Sequence, residues 1–197
     1  MTTRNSHESW YAPPQPARYR LAPVQLGLLL VIAAETVLFG TLLSAFLFVR
    51  STTAAPYENA GLLRLALPIL NTLVLIASAW VARSANRAAL SGRRDVLRNA
   101  LLSAFFLGGI FVAGQILEFS RSGMRPAGPA LGGMYFALIG FHAAHVVAGM
   151  VALALLSVRA SLGDFTPRRS APVTAGYWFW LYVTAIWIVL FIALYLV

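Results

Sequence analysis

Six polar side chains stand inside long apolar stretches of this chain: Glu35, Asn71, Gln115, Glu118, His142 and His145. Ionisable groups in apolar surroundings are costly, so each is a candidate for a functional role. His142 and His145 are three residues apart, which on a helix puts them on one face. Haem held between two histidines needs one on each side of the iron, from different helices. The remaining histidine is His7, near the N-terminus, so haem ligation within the chain is excluded by count. A metal site would have to combine His142, His145 and a Glu, and the HxxH spacing alone does not make one. The other reading is that these histidines hydrogen-bond to neighbouring helices, or to lipid headgroups and water. Cysteine is absent, which removes disulfides, thiolate metal sites and cysteine nucleophiles. We therefore expect no catalytic group, no metal and no cofactor in this chain.

Glu35 also has two readings. One is a carboxyl hydrogen-bonded to a neighbouring helix or touching lipid; the other is a proton relay. A relay needs a chain of groups, and the apolar stretches supply few. We expect Glu35 to lie within reach of His142 and His145, in a polar patch that contacts lipid or stabilises the protein. Glu118 stands near the end of its stretch and can reach the interface.

The elements that position these residues follow from composition. Of 197 residues, 59% are apolar and 11% charged, against about 45–50% and about 25% in soluble domains. A disordered chain and a secreted disulfide scaffold are excluded. The net charge of +9 suggests nucleic acid, but all fifteen basic residues are Arg and lie almost wholly between apolar runs. No nucleic-acid partner is expected. The pattern is that of an integral membrane protein. Crossing about 30 Å of hydrocarbon takes about 20 residues at about 1.5 Å rise. Five runs qualify or nearly do, at about residues 24–49, 65–82, 101–119, 134–158 and 177–197. Backbone groups in lipid must be paired internally, so the runs read as helices; they are too long, and lack the alternation, for barrel strands. The fold class expected is an all-α bundle of five transmembrane helices over residues 24–197, preceded by an N-terminal cytoplasmic arm, 1–23.

Gly and Pro punctuate the connections: Pro56, Gly61 and Pro68, then Ser91 and Gly92, then Gly123, Pro126, Gly128 and Pro129, then Gly163, Pro167 and Pro172. Arginine counts set the orientation. Arg4, Arg18, Arg20, Arg83, Arg87, Arg93, Arg94, Arg98, Arg159, Arg168 and Arg169 fall on one side; Arg50, Arg64, Arg121 and Arg125 fall on the other. Eleven against four puts the N-terminus in the cytoplasm and the C-terminus outside. The Pro-rich arm has no apolar core of a signal peptide and no Arg- and Ser-rich transit pattern, which points to a bacterial inner membrane. The arm reads either as an extended segment on the membrane surface or a partner, or as a disordered tail.

Packing signals complete the reading. Gly140, Ala144, Ala148 and Ala152 recur every four residues, a stripe that lets another helix approach closely. Trp178, Trp180 and Tyr182, near the start of the fifth run, and Tyr195 at its end read as interfacial belts.

The wording of the segments adds what physics does not. AAETVLFGTLLSAFLF resembles the first shared helix of subunit III of the haem-copper oxidases, with Glu35 at the family's intramembrane carboxylate. PILNTLVLIASAW, from Pro68 to Trp80, resembles the next helix. FVAGQILEF matches the Q-x-x-E-[YF] pattern through Gln115, Glu118 and Phe119. YFALIGFHAAHVVAGM is similar to F-x-x-x-G-F-H-x-x-H-V-x-x-G through Phe136, Gly140, Phe141, His142, His145, Val146 and Gly149. The last helix aligns through Trp180, Trp187 and Phe191. Leu181 and Thr184 depart from the family's W-H-F-V-D-x-x-W, replacing its His and Asp. The segments occur in family order and cover most of the chain from about residue 24, with the length of the five-helix form.

The resemblance implies a subunit without redox centres, packed on subunit I and near subunit II, with haem and copper in those partner subunits. It implies phospholipid binding and support of stability, sustained turnover and proton uptake in a complex that reduces dioxygen to water. The electron donor, cytochrome c or a quinol, is left open. The alternatives are a subunit-III-like protein of a nitric oxide reductase system, a small membrane transporter, for which no inverted repeat is visible, and an assembly factor.

Overall fold

The computed structural model describes residues 21–52, 62–121 and 130–196. They form five long helices and, among the described residues, no strand: α1 (Pro23–Thr52), α2 (Leu62–Leu90), α3 (Arg94–Arg121), α4 (Ala130–Ser161) and α5 (Ala171–Phe191). Short 3-10 turn Pro167–Arg169 precedes α5, and a π-helical turn, Ile192–Leu196, continues it. Each long helix is apolar and long enough to cross a membrane. The helices overrun the apolar runs at most ends, because a run marks only the hydrocarbon depth while backbone pairing continues into the headgroup layer. Pro23 opens α1, where its missing N–H costs nothing. The arm through residue 20 and the connections at 53–61 and 122–129 lie outside the described residues.

Two glycines close the turns at one end of the bundle. Gly92 has φ +72° and Gly163 has φ +81°, the left-handed conformation that ends a helix without a Cβ clash. Beyond them, Arg93 N–H donates to Ala88 O at 3.0 Å and Asp164 N–H donates to Arg159 O at 3.2 Å, satisfying late carbonyls of α2 and α4. Arg83, Arg87, Arg93, Arg94, Arg98, Arg159, Arg168 and Arg169 all gather at this end, and Arg50 lies at the other.

α2, α3, α4 and α5 make the packed body, with α2 and α3 most intimately joined, and α1 leans against α4 and α5. The buried residues of α1 are only Phe39 and Phe46. On α4 the buried face runs through Tyr135, Leu138, His142, Val146, Gly149 and Leu153. This corrects the small-residue stripe. Gly140, Ala144 and Ala148 are exposed and Ala152 half-buried, and a Cβ built on Gly140 meets nothing within 4 Å. The close helix approach uses Gly149 instead, where a Cβ would stand 2.7 Å from Trp180 Cε3. Trp180 is a second correction. It is 0% exposed, set inside the bundle and not in an interfacial belt.

Candidate functional site between the first and fourth helices

Glu35 lies near the middle of α1, and the helical repeat puts it on the same face as Phe39. That face meets α4. Glu35 Oε2 stands 3.1 Å from His145 Nε2. The other ring nitrogen of His145, Nδ1, lies 2.7 Å from the carbonyl of Phe141, one turn back on α4. Phe39 packs edge-on against the His145 ring at 5.2 Å. Beside the pair, Thr36 Oγ1 is 3.4 Å from the hydroxyl of Tyr182 on α5. Glu35 and His145 thus face each other across α1 and α4.

His142 is placed differently. It is 1% exposed and walled by Phe39, Phe111 and Trp187, with ring centroids 6.4, 6.2 and 5.1 Å away. Neither of its ring nitrogens has a hydrogen-bond partner among the described residues. The three-residue spacing rotates the two rings enough that one faces α1 and the other the aromatic interior.

The remaining polar candidates tie helices together. Asn71 on α2 donates from Nδ2 to the carbonyl of Phe111 on α3 at 3.0 Å, in a buried position. At the far end of α3, Gln115 Nε2 donates to Glu118 Oε2 at 3.4 Å, and the Tyr195 hydroxyl donates to Glu118 Oε1. The π-helical turn at the end of α5 carries Tyr195 to that carboxyl. Two further links use acceptors, Ser78 and Thr72, that were not singled out from sequence. Trp180 Nε1–H donates to Ser78 Oγ at 2.9 Å, and Ser78 in turn donates to Ala104 O at 2.9 Å. Trp187 Nε1–H donates to Thr72 Oγ1 at 2.9 Å. The two Trp stand seven apart, on one face of α5, but Thr72 and Ser78 are six apart and share no face by spacing, so the sequence did not mark them as a matched pair.

The donor set does not fit haem or copper. One ring nitrogen of His145 faces a carbonyl and the other a carboxyl, and His142 is enclosed by rings. Among the described residues, no three His, Asp or Glu side chains gather as a metal site. What this arrangement does is set one carboxyl beside an imidazole on the partly exposed seam between α1 and α4, while side-chain hydrogen bonds pin α2, α3 and α5 together.

Comparison with known proteins gives this bundle its place. The family model for cytochrome c oxidase subunit III matches residues 21–197. The chain is 29% identical over 180 residues to the probable cytochrome c oxidase subunit 3 of Nocardia farcinica, covering 88% of each. It is 28% identical over 204 residues to cytochrome c oxidase subunit 3 of Corynebacterium diphtheriae, covering 100% of both. It is 30% identical over 191 residues to that of Papio hamadryas, covering 90% of this chain and 72% of the relative. With the match running unbroken through all five helices, this multi-pass membrane chain belongs to the cytochrome c oxidase subunit III family and is a subunit III of a respiratory terminal oxidase.

Proposed function

We propose that the chain is the non-catalytic subunit of its complex: it packs on subunit I beside subunit II, binds phospholipid, and supports stability and proton uptake while haem and copper in those partner subunits reduce dioxygen. The observation that carries this reading is the use of its polar groups. Asn71, Ser78, Thr72, Glu118 and His145 are engaged with other groups of the chain, which suits a supporting role. The outward face of α4 with Gly140, Ala144 and Ala148, and an α1 whose Leu30, Val37 and Phe48 are exposed, offer surface to a partner helix or lipid. The arginine-rich end supports a cytoplasmic N-terminus in a bacterial inner membrane, with residues 24–197 as one domain and the preceding arm on the cytoplasmic side.

Affinity purification of the tagged full chain in mild detergent tests this. Co-purification of subunits I and II with a reduced-haem absorbance is the expected result. A haem-free homo-oligomer would overturn it and favour a transporter.

A further inference from the structure

The outward face of α2 changes character over a few turns. Leu73, Ala77, Trp80, Ser84 and Arg87 recur at helical spacing and are all exposed. Leu73 stands at hydrocarbon depth, Trp80 comes near the end of the apolar run, and Arg83 and Arg87 follow one and two turns later. Trp80 is 70% exposed. Among the described residues no acceptor takes its indole N–H, and Arg83 and Arg87 have no carboxylate partner. The bonds from Asn71 to Phe111 O and from Ser78 to Ala104 O set α3 antiparallel beside α2. In that register Arg98 stands at the depth of Ser84, and Asp95 at the depth of Arg87. This end of the two helices therefore gathers Arg83, Arg87, Arg93, Arg94 and Arg98 against the one carboxyl of Asp95.

The size of the neighbouring side chains says what covers this surface. Partner helices in a membrane approach each other over small residues. Deeper than Trp80, the outward surfaces of α2 and α3 present Leu70, Leu73, Phe106 and Ile110, all exposed, which suits acyl chains. An indole at the end of such a surface lies at headgroup level. Arg83 is about 5 Å further along the axis, within reach of the same phosphate, and a guanidinium takes phosphate oxygens in a fork. Each basic residue near a bilayer surface favours anionic lipid.

We propose that this end of α2 and α3 binds the headgroup of an anionic phospholipid: the Trp80 N–H and the Arg83 guanidinium hold its phosphate, Arg87 takes further negative charge, and the acyl chains run past Leu73. The site rests on the phospholipid binding inferred above and names the class of lipid and the residues that select it.

The test is lipid binding by the delipidated full chain in mild detergent. Phosphatidylglycerol and phosphatidylcholine are titrated separately, and bound lipid is counted by native mass spectrometry. Tighter binding of phosphatidylglycerol is expected. Arg83→Gln combined with Arg87→Gln should weaken it about thirty-fold. Trp80→Phe, which keeps an aromatic ring and loses the donor, should weaken it about ten-fold. Arg168→Gln combined with Arg169→Gln removes the same charge elsewhere at this end of the bundle and should leave the affinity nearly unchanged. An equal loss in that control would overturn the proposal, because charge alone would then account for binding. Equal affinity for the two lipids would also overturn it while leaving phospholipid binding itself standing, and no binding of either lipid would sink both. Unchanged phosphatidylglycerol binding in the Arg83 and Arg87 variant would overturn it as well, and loss of partner subunits from that variant would assign the arginines to a protein surface instead.

Discussion

The indole Nε1–H of Trp180 reaches from α5 to Ser78 Oγ on α2 at 2.9 Å, and both residues are fully buried. In hydrocarbon an indole N–H has no water to fall back on, so the serine is its acceptor and also the link onward to Ala104 of α3. Ser78→Ala should leave the buried Trp180 N–H unpaired and cost about 1–3 kcal/mol, read as a lower melting temperature in detergent. An unchanged melting temperature would mean the three helices do not depend on this link.

Gly149 and Ala148 are neighbours with opposite surroundings. Gly149→Ala should force the Trp180 ring away and cost about 1–3 kcal/mol, as overpacking does. Ala148→Leu should leave the melting temperature of the chain itself unchanged, because that position is exposed, and act only on co-purification of partner subunits. Destabilisation of the isolated chain by Leu at 148 would place the outward face wrongly.

The two histidines should separate on substitution. His142→Phe keeps the ring among Phe39, Phe111 and Trp187 and gives up no hydrogen bond to the described residues, so a stability change under about 1.5 kcal/mol is expected. His145→Phe leaves the Glu35 carboxyl without its imidazole and should detach α1. Limited proteolysis between α1 and α2 reads this, with faster cleavage expected for His145→Phe alone.

Tyr195→Phe removes the hydroxyl that Glu118 accepts from. Loss of about 1 kcal/mol is expected, with faster amide exchange confined to Ile192–Leu196. Exchange that speeds instead throughout α3 would mean that Glu118 anchors more than the end of α5.

Much of this was legible in the chain because lipid leaves few options: runs of about 20 apolar residues must be helices, and a Glu and a His at similar depth find one another. The facing of α4 was not. Around a membrane helix both lipid and protein interior are apolar, so Gly140, Ala144 and Ala148 carry no contrast that tells inward from outward. Trp180 was misread for a related reason. Indoles do gather at interfaces, and only the partner serine on another helix explains one in the interior. His142 and His145 could be put on a face but not told apart, since that depends on how α1 leans on α4.

We propose that this chain supports dioxygen reduction without performing it. The most direct measurement is oxygen consumption by the purified complex, followed over many turnovers, with and without this subunit and with haem content checked in both. A similar initial rate is expected in the two preparations, with a progressive loss of activity only where the subunit is absent. An immediate and complete loss of oxygen reduction, with the haems and copper of the other subunits intact, would contradict it.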